Sequence, residues 1–171
     1  MKNFLIIGLT LSFLFSCGQA DQNTKSELKV QNYSWSLVTT WPKNYPGLGM
    51  APERFSKLVN EMSQGQLKVT VYGAGEFVPA MGVFDAVSSG AVEMGHGGAY
   101  YWKGKVPAAQ FFAGVPFGFT ADEINAWVNR GGGLELWEDL YKPFNMKPLP
   151  GGNTGTQTVS YTHLRAHETF A

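Results

Sequence analysis

The chain has 171 residues with 13 basic and 13 acidic side chains, so its formal net charge is zero. Without a basic stripe it is a poor partner for nucleic acid. Its single cysteine excludes an internal disulfide, while 14% aromatic residues and 21 glycines suit a small-molecule cleft.

Met1 and Lys2 give a positive start, and Phe4 to Phe15 is a mostly apolar run of twelve residues. A helix that spans a bilayer needs about 20 apolar residues, so the run fits the h-region of a secretory signal. It ends in Ser16-Cys17. A small residue directly before a cysteine resembles the lipobox of bacterial lipoproteins, in which Cys17 is lipidated and becomes the first mature residue. The competing reading is an ordinary signal peptide with an incidental cysteine. An unpaired thiol in an oxidising compartment is a liability, which favours lipidation. Residues 1–16 are therefore expected to be a leader and residues 17–32 an anchor and flexible tether, since Asp21 to Gln31 is polar and aperiodic.

Residues 33–157 form the domain-sized remainder. Ser34 to Thr40 reads as a first strand around Trp35, Leu37 and Val38, and Trp41-Pro42 opens the loop that ends it. A helix is expected from Ala51 to Ser63, with Pro52 in its first turn. Phe55, Leu58, Val59 and Met62 would form its buried stripe. Leu67, Val69 and Val71 alternate as a second strand, and Gly73 to Glu76 turns the chain. Ala80 to Ser89 reads as a short helix, Val92 to Gly95 as a third strand. Val106 to Phe119, with two prolines and two glycines, is expected to be irregular buried chain, with room for one short strand. Thr120 and Glu123 have capping-box spacing and start a helix to about Arg130. Gly131-Gly132-Gly133 reads as a turn into a helix from Leu134 to Lys142. Met146 to Leu149 is expected to be a fourth strand. This order implies an α/β sandwich with a mainly parallel sheet. Ligands of such sheets sit outside the carboxyl ends of the strands, here the loops at Trp41, Gly73, His96 and Gly151.

Val159 to Thr169 reads as a translated sequencing-transposon adapter, eleven residues long. Two further adapter bases complete the codon of Thr158, and Phe170 and Ala171 would follow from an index barcode. The alternative is a natural histidine-containing tail. On the adapter reading, residues 158–171 are not native, His163 and His167 carry no functional weight, and the natural protein is longer.

No catalytic constellation stands out. His96 is the one histidine outside that tail, it has no cysteine partner, and no serine sits in a nucleophile elbow. The glycine clusters fit neither phosphate-binding loop pattern. Glu76 is either a solvated turn residue or a partner of a bound ligand. Tyr100, Tyr101 and Trp102 cannot all face one way, and Tyr101 is the expected cleft wall, with Trp41 holding a similar claim.

Several segments together carry a family resemblance. They are Trp41-Pro42, Gly73 to Ala80, Val83 to Val87, Gly95-His96-Gly97, Tyr101 to Lys105, Val115 to Gly118 and Gly131 to Leu136. In this order and spacing they resemble the substrate-binding subunits of TRAP transporters, nearest the α-keto acid-binding branch. The resemblance spans Tyr33 to Gln157. It implies one lobe, of the type II periplasmic-binding-protein kind, of a two-lobed, non-enzymatic protein in the periplasm. Such a protein closes over a small carboxylate, a 2-oxoacid such as pyruvate or a hydroxy acid, and passes it to membrane permease subunits. It also implies a cation, Na⁺ or Ca²⁺, held with the ligand, and it admits a homodimer of the full-length protein. By the same resemblance Gln157 offers a side-chain oxygen to the cation, Asn153 shapes that loop, and an arginine beyond the cut pairs with the carboxylate. The plain alternative for Gln157 is a loop residue bonded to backbone. Rival functions are a sugar-acid binder, a lipid-anchored enzyme using Glu76 and His96 as an acid/base pair, and a structural lipoprotein without a small ligand.

Overall fold

The computed structural model describes residues 31–154. The leader and Cys17, together with residues 155–171 and hence Gln157 and the adapter-like run, lie outside them.

Among these described residues, three strands and four α-helices follow in the order β1 (Tyr33–Thr39), α1 (Met50–Met62), β2 (Leu67–Tyr72), α2 (Val83–Ser88), β3 (Met94–His96), α3 (Ala121–Arg130) and α4 (Gly133–Tyr141). Short 3-10 turns cover Ala80–Gly82, Ala99–Trp102, Pro107–Phe112 and Lys142–Phe144. β1 is central, with β2 and β3 on either side, and both pairings are parallel. A parallel sheet is covered on both faces, so its central strand is buried without alternation, and Leu37, Val38, Thr39 and Thr40 are all buried. Leu37 joins Val69 and Val71 on the α1 face. Val38 joins Val83, Phe84, Val92 and Trp102 on the other. The expected α/β class with a parallel sheet is what forms.

Two of the motifs behind the resemblance act in packing. Gly95 lets β3 lie against α2, since a Cβ on it would stand 2.8 Å from side-chain atoms of Val83 and Val87. Phe84 meets Trp102 at 5.7 Å between ring centroids, and Lys105 pairs with Asp85 across the same contact. At the start of α3 the expected capping box forms, with Thr120 and Glu123 each accepting from the other's backbone N–H.

Three expectations are corrected. The stripe of α1 is not buried against this sheet: Phe55 is 41%, Leu58 44% and Met62 83% exposed, and only Val59 packs on the sheet cluster. The helix is rotated so that Pro52, Ser56, Val59 and Ser63 face inward. Pro52 is buried, the Ser56 hydroxyl donates to Val69 O at 2.5 Å, and the Ser63 hydroxyl accepts from Leu67 N–H at 3.0 Å. Small hydroxylated side chains allow a closer approach to β2 than Phe55 and Leu58 would. Next, Met146–Leu149 forms no strand, so the sheet among the described residues has three strands. Pro148 and Pro150 remove two ladder donors there. Finally, the 106–119 stretch is buried only at its start. Val106 and Ala109 are in the core, whereas Phe111, Val115, Phe117 and Phe119 are exposed, and the segment begins as a 3-10 turn rather than a strand.

Candidate functional site

The three strands run the same way, so their carboxyl ends share one edge. Two backbone bonds extend the ladder past the strands there. Thr40 N–H donates to His96 O and Ala74 N–H donates to Trp41 O, both at 3.0 Å. The first fixes the chain leaving β1 to the end of β3, the second to the loop after β2. Trp41 N–H donates back to the Thr39 hydroxyl at 3.2 Å, which sets the turn.

These bonds hold an aromatic cluster. The Trp41 ring stands 5.0 Å from the imidazole of His96 and 6.1 Å from the ring of Tyr101, tilted against both. Tyr101 is half-buried, Trp102 is buried in the core and Tyr100 is exposed, so the three adjacent aromatics divide as their geometry demands. The fourth expected loop arrives at the same edge: a Cβ on Gly151 would lie 3.4 Å from His96 Cδ2 and 3.5 Å from Nε2. Gly97 completes the floor, its α-carbon tucked between the side chains of Thr40 and Trp102, where a Cβ would come within 2.9 Å of each. The loops at Trp41, Gly73, His96 and Gly151 thus converge as the strand order requires.

Glu76 sits at the rim with its carboxylate occupied. Oε2 accepts from Lys43 Nζ at 2.9 Å and from Gly73 N–H at 3.0 Å. The Lys43 ammonium, then the Gly73 amide, hold this carboxyl below the usual range, and Lys43 is raised in turn by Glu76. Glu76 therefore ties the loop after β2 to the loop after β1. Burial pushes the His96 imidazole below its ordinary value. Its Nδ1 is sealed from solvent and has no protein hydrogen-bond partner, and the same holds for Thr40 Oγ1.

Of the expected site residues, Trp41 and Tyr101 come together, Glu76 stands at the neighbouring loop, and Asn153 follows the Gly151–Gly152 turn in an exposed, bonded position. Gln157, the expected cation ligand, is outside the described residues, and among those described no three His, Cys, Asp or Glu side chains gather as metal ligands. Lys43 and Thr40 join the site beyond the residues expected there, and His96, expected only as a strand-end loop or as an acid/base partner of Glu76, stands against Trp41 within it. Their signal in the sequence is position alone, since each lies within four residues of a strand's carboxyl end. A separate hollow of about 410 Å³ lined by Glu138, Lys142 and Lys147 shares no residue with this cluster.

The model of the bacterial extracellular solute-binding proteins, family 7 (DctP), matches residues 37–163. The chain belongs to that family. The match overlaps by five residues, 159–163, the run read as adapter. A monocarboxylate 2-oxoacid-binding periplasmic protein of Nostoc sp. is 41% identical over 156 residues, covering 91% of this chain and 42% of its own. Two solved TRAP periplasmic solute-binding proteins have the same fold. One, from Pseudoalteromonas atlantica with bound sodium and pyruvate, is 45% identical with a TM-score of 0.72. The other, from Colwellia psychrerythraea with bound calcium and pyruvate, is 43% identical with a TM-score of 0.73. Each comparison covers 74% of this chain and 39% of the other. This family-7 chain thus spans about two fifths of the length of these relatives, and its three-stranded sheet with its helices is a lobe of that fold.

Proposed function

We propose that this chain is the N-terminal lobe of an extracytoplasmic solute-binding subunit of a TRAP transporter. The full protein captures a small carboxylate, a 2-oxoacid such as pyruvate or a hydroxy acid, together with Na⁺ or Ca²⁺, and delivers it to the membrane permease. The observation that carries this reading is that two solved relatives above 40% identity have pyruvate and a cation bound, while this chain gathers Trp41, Tyr101 and the Gly151 loop at the strand ends. Aromatic walls with few polar groups suit a small, flat carboxylate. Trp41 and Tyr101 wall the cleft, Glu76 braces its rim through Lys43, Asn153 shapes the loop, and Gln157 gives an oxygen to the cation, as hard cations prefer. Cys17 anchors the mature protein by lipid in the periplasm.

The protein is a binder rather than an enzyme. An acid/base pair of Glu76 and His96 is disfavoured by what each touches. The carboxylate is taken by Lys43 and Gly73, and the imidazole lies against Trp41 and Gly151. The test is to titrate the full-length protein with 2-oxoacids, hydroxy acids and hexuronates and to assay the recovered ligand. Saturable binding of 2-oxoacids with ligand recovered unchanged is expected. Turnover of any of them, or binding of hexuronates alone, would overturn the reading.

A further inference from the structure

We propose that His96 is a positioning residue of the ligand site: its imidazole is wedged between Trp41 and the Gly151–Asn153 loop and fixes their separation, so that ligand affinity depends on a side chain that does not touch the ligand. This rests on the carboxylate-binding reading above.

Five observations carry it. The ring contacts Trp41 on one side, at 5.0 Å between centroids and tilted by 57°. Its Cδ2–Nε2 edge lies against Gly151, where a Cβ would be in ordinary contact at 3.4–3.5 Å. The backbone of His96 is itself held, because its carbonyl accepts from Thr40 N–H at 3.0 Å and its residue pairs with Thr39 in the sheet. Gly97, immediately after it, is pinned against Thr40 and Trp102. The imidazole is thus mounted on backbone that the sheet holds, and it touches two loops, at Trp41 and at Gly151. Nδ1 is sealed from solvent, so the ring is seated inward and is not a free side chain sampling the cleft. A wall and a loop that must meet a three-carbon ligand need their separation set to a fraction of an ångström. The strands cannot set it directly, because both Trp41 and Gly151 lie beyond their last paired residues.

The experiment uses the full-length protein with pyruvate as probe, and 5-fluorotryptophan labelling with the Trp41 signal assigned through Trp41→Phe. His96→Ala removes the wedge. Pyruvate affinity should fall at least tenfold, and the Trp41 resonance of the free protein should move and broaden. His96→Phe restores ring volume and should recover most of the affinity and the sharp resonance. On the other side of the wedge, Gly151→Ala should bind like wild type, because its methyl only reaches contact. Gly151→Val should weaken binding by forcing branched methyls at the ring. A role confined to stability would lower the melting temperature of His96→Ala and leave affinity at saturation of folded protein and the Trp41 signal unchanged. If His96→Ala fails to fold, His96→Phe and the Gly151 pair decide: equal binding by Gly151→Val and wild type overturns the inference. So does binding by a folded His96→Ala within twofold of wild type. A wild-type protein that binds no 2-oxoacid instead sinks the functional reading beneath it.

Discussion

His96 gives this neutral chain a pH-dependent element through one partly buried ring. Desolvation lowers its folded pKa below the ordinary 6.5. Below pH 6.5 the unfolded chain therefore takes up a proton before the folded chain does, and stability falls as pH drops toward the folded pKa. Its contribution is fully present above 6.5 and is lost on acidification through the folded value. Urea midpoints of wild type and His96→Phe, taken from pH 7.5 down to 5, should diverge in this way, with the wild type falling more steeply. Parallel curves would mean that the imidazole is not held neutral. Gly95 makes a second prediction at this scale. A methyl placed 2.8 Å from both Val83 and Val87 overpacks the β3–α2 contact, so Gly95→Ala should cost about 1–3 kcal/mol. Gly82→Ala, whose nearest atoms lie at 3.6 and 3.7 Å, is the control and should cost far less. The chemistry of single residues was less legible in the sequence than their placement. The sequence leaves Glu76 open between a turn residue and a ligand partner, because its pairing with Lys43 and Gly73 depends on two loops whose approach no local pattern encodes.

At the level of elements, periodicity located β1, α1, β2, α2, α3 and α4 to within a few residues, because each carries its own local signal. Alternating apolar residues mark β1 and β2, the Thr120–Glu123 box starts α3, and glycine punctuates the turns, Gly132 at φ +82° among them. What periodicity cannot supply is the partner of an apolar face. The Phe55, Leu58 and Met62 stripe is a real pattern, yet α1 meets β2 through Ser56, Val59 and Ser63. In the chain as it stands, Val59→Ala should therefore lower stability by about 1 kcal/mol, whereas Leu58→Ala should leave the urea midpoint nearly unchanged. The reverse order would show that α1 sits on the sheet by its apolar stripe after all. The fourth strand failed for a related reason. Met146 to Leu149 has the composition of a strand, but Pro148 and the following Pro150 withhold the donors that a ladder needs.

For the whole molecule, the family was legible because its motifs occur in order along the described lobe, and several of them turn out to be packing contacts such as Phe84 with Trp102 and Asp85 with Lys105. The complete site is not legible here, since this chain spans only 39–42% of the length of its relatives. A two-lobed binder encloses its ligand by hinge closure, so one lobe offers part of the contacts. The exposed Phe55, Phe111, Phe117 and Phe119 are apolar surface that a longer chain has the material to cover, and the isolated lobe should self-associate. The measurement that bears most directly on the account is a calorimetric titration of pyruvate into two proteins side by side, residues 21–157 and the full-length protein, each with and without Na⁺ or Ca²⁺. Charge-assisted hydrogen bonds contribute roughly 1.5–3 kcal/mol each, and each 1.4 kcal/mol is about tenfold in affinity. If the arginine that the resemblance places beyond Gln157 holds the carboxylate with two such bonds, its loss should weaken the lobe by on the order of 10²-fold. Saturable, cation-strengthened binding by the full-length protein and weak or no binding by the lobe are expected. Equal affinity in the two, or a full-length protein that ignores every carboxylate, would contradict that expectation.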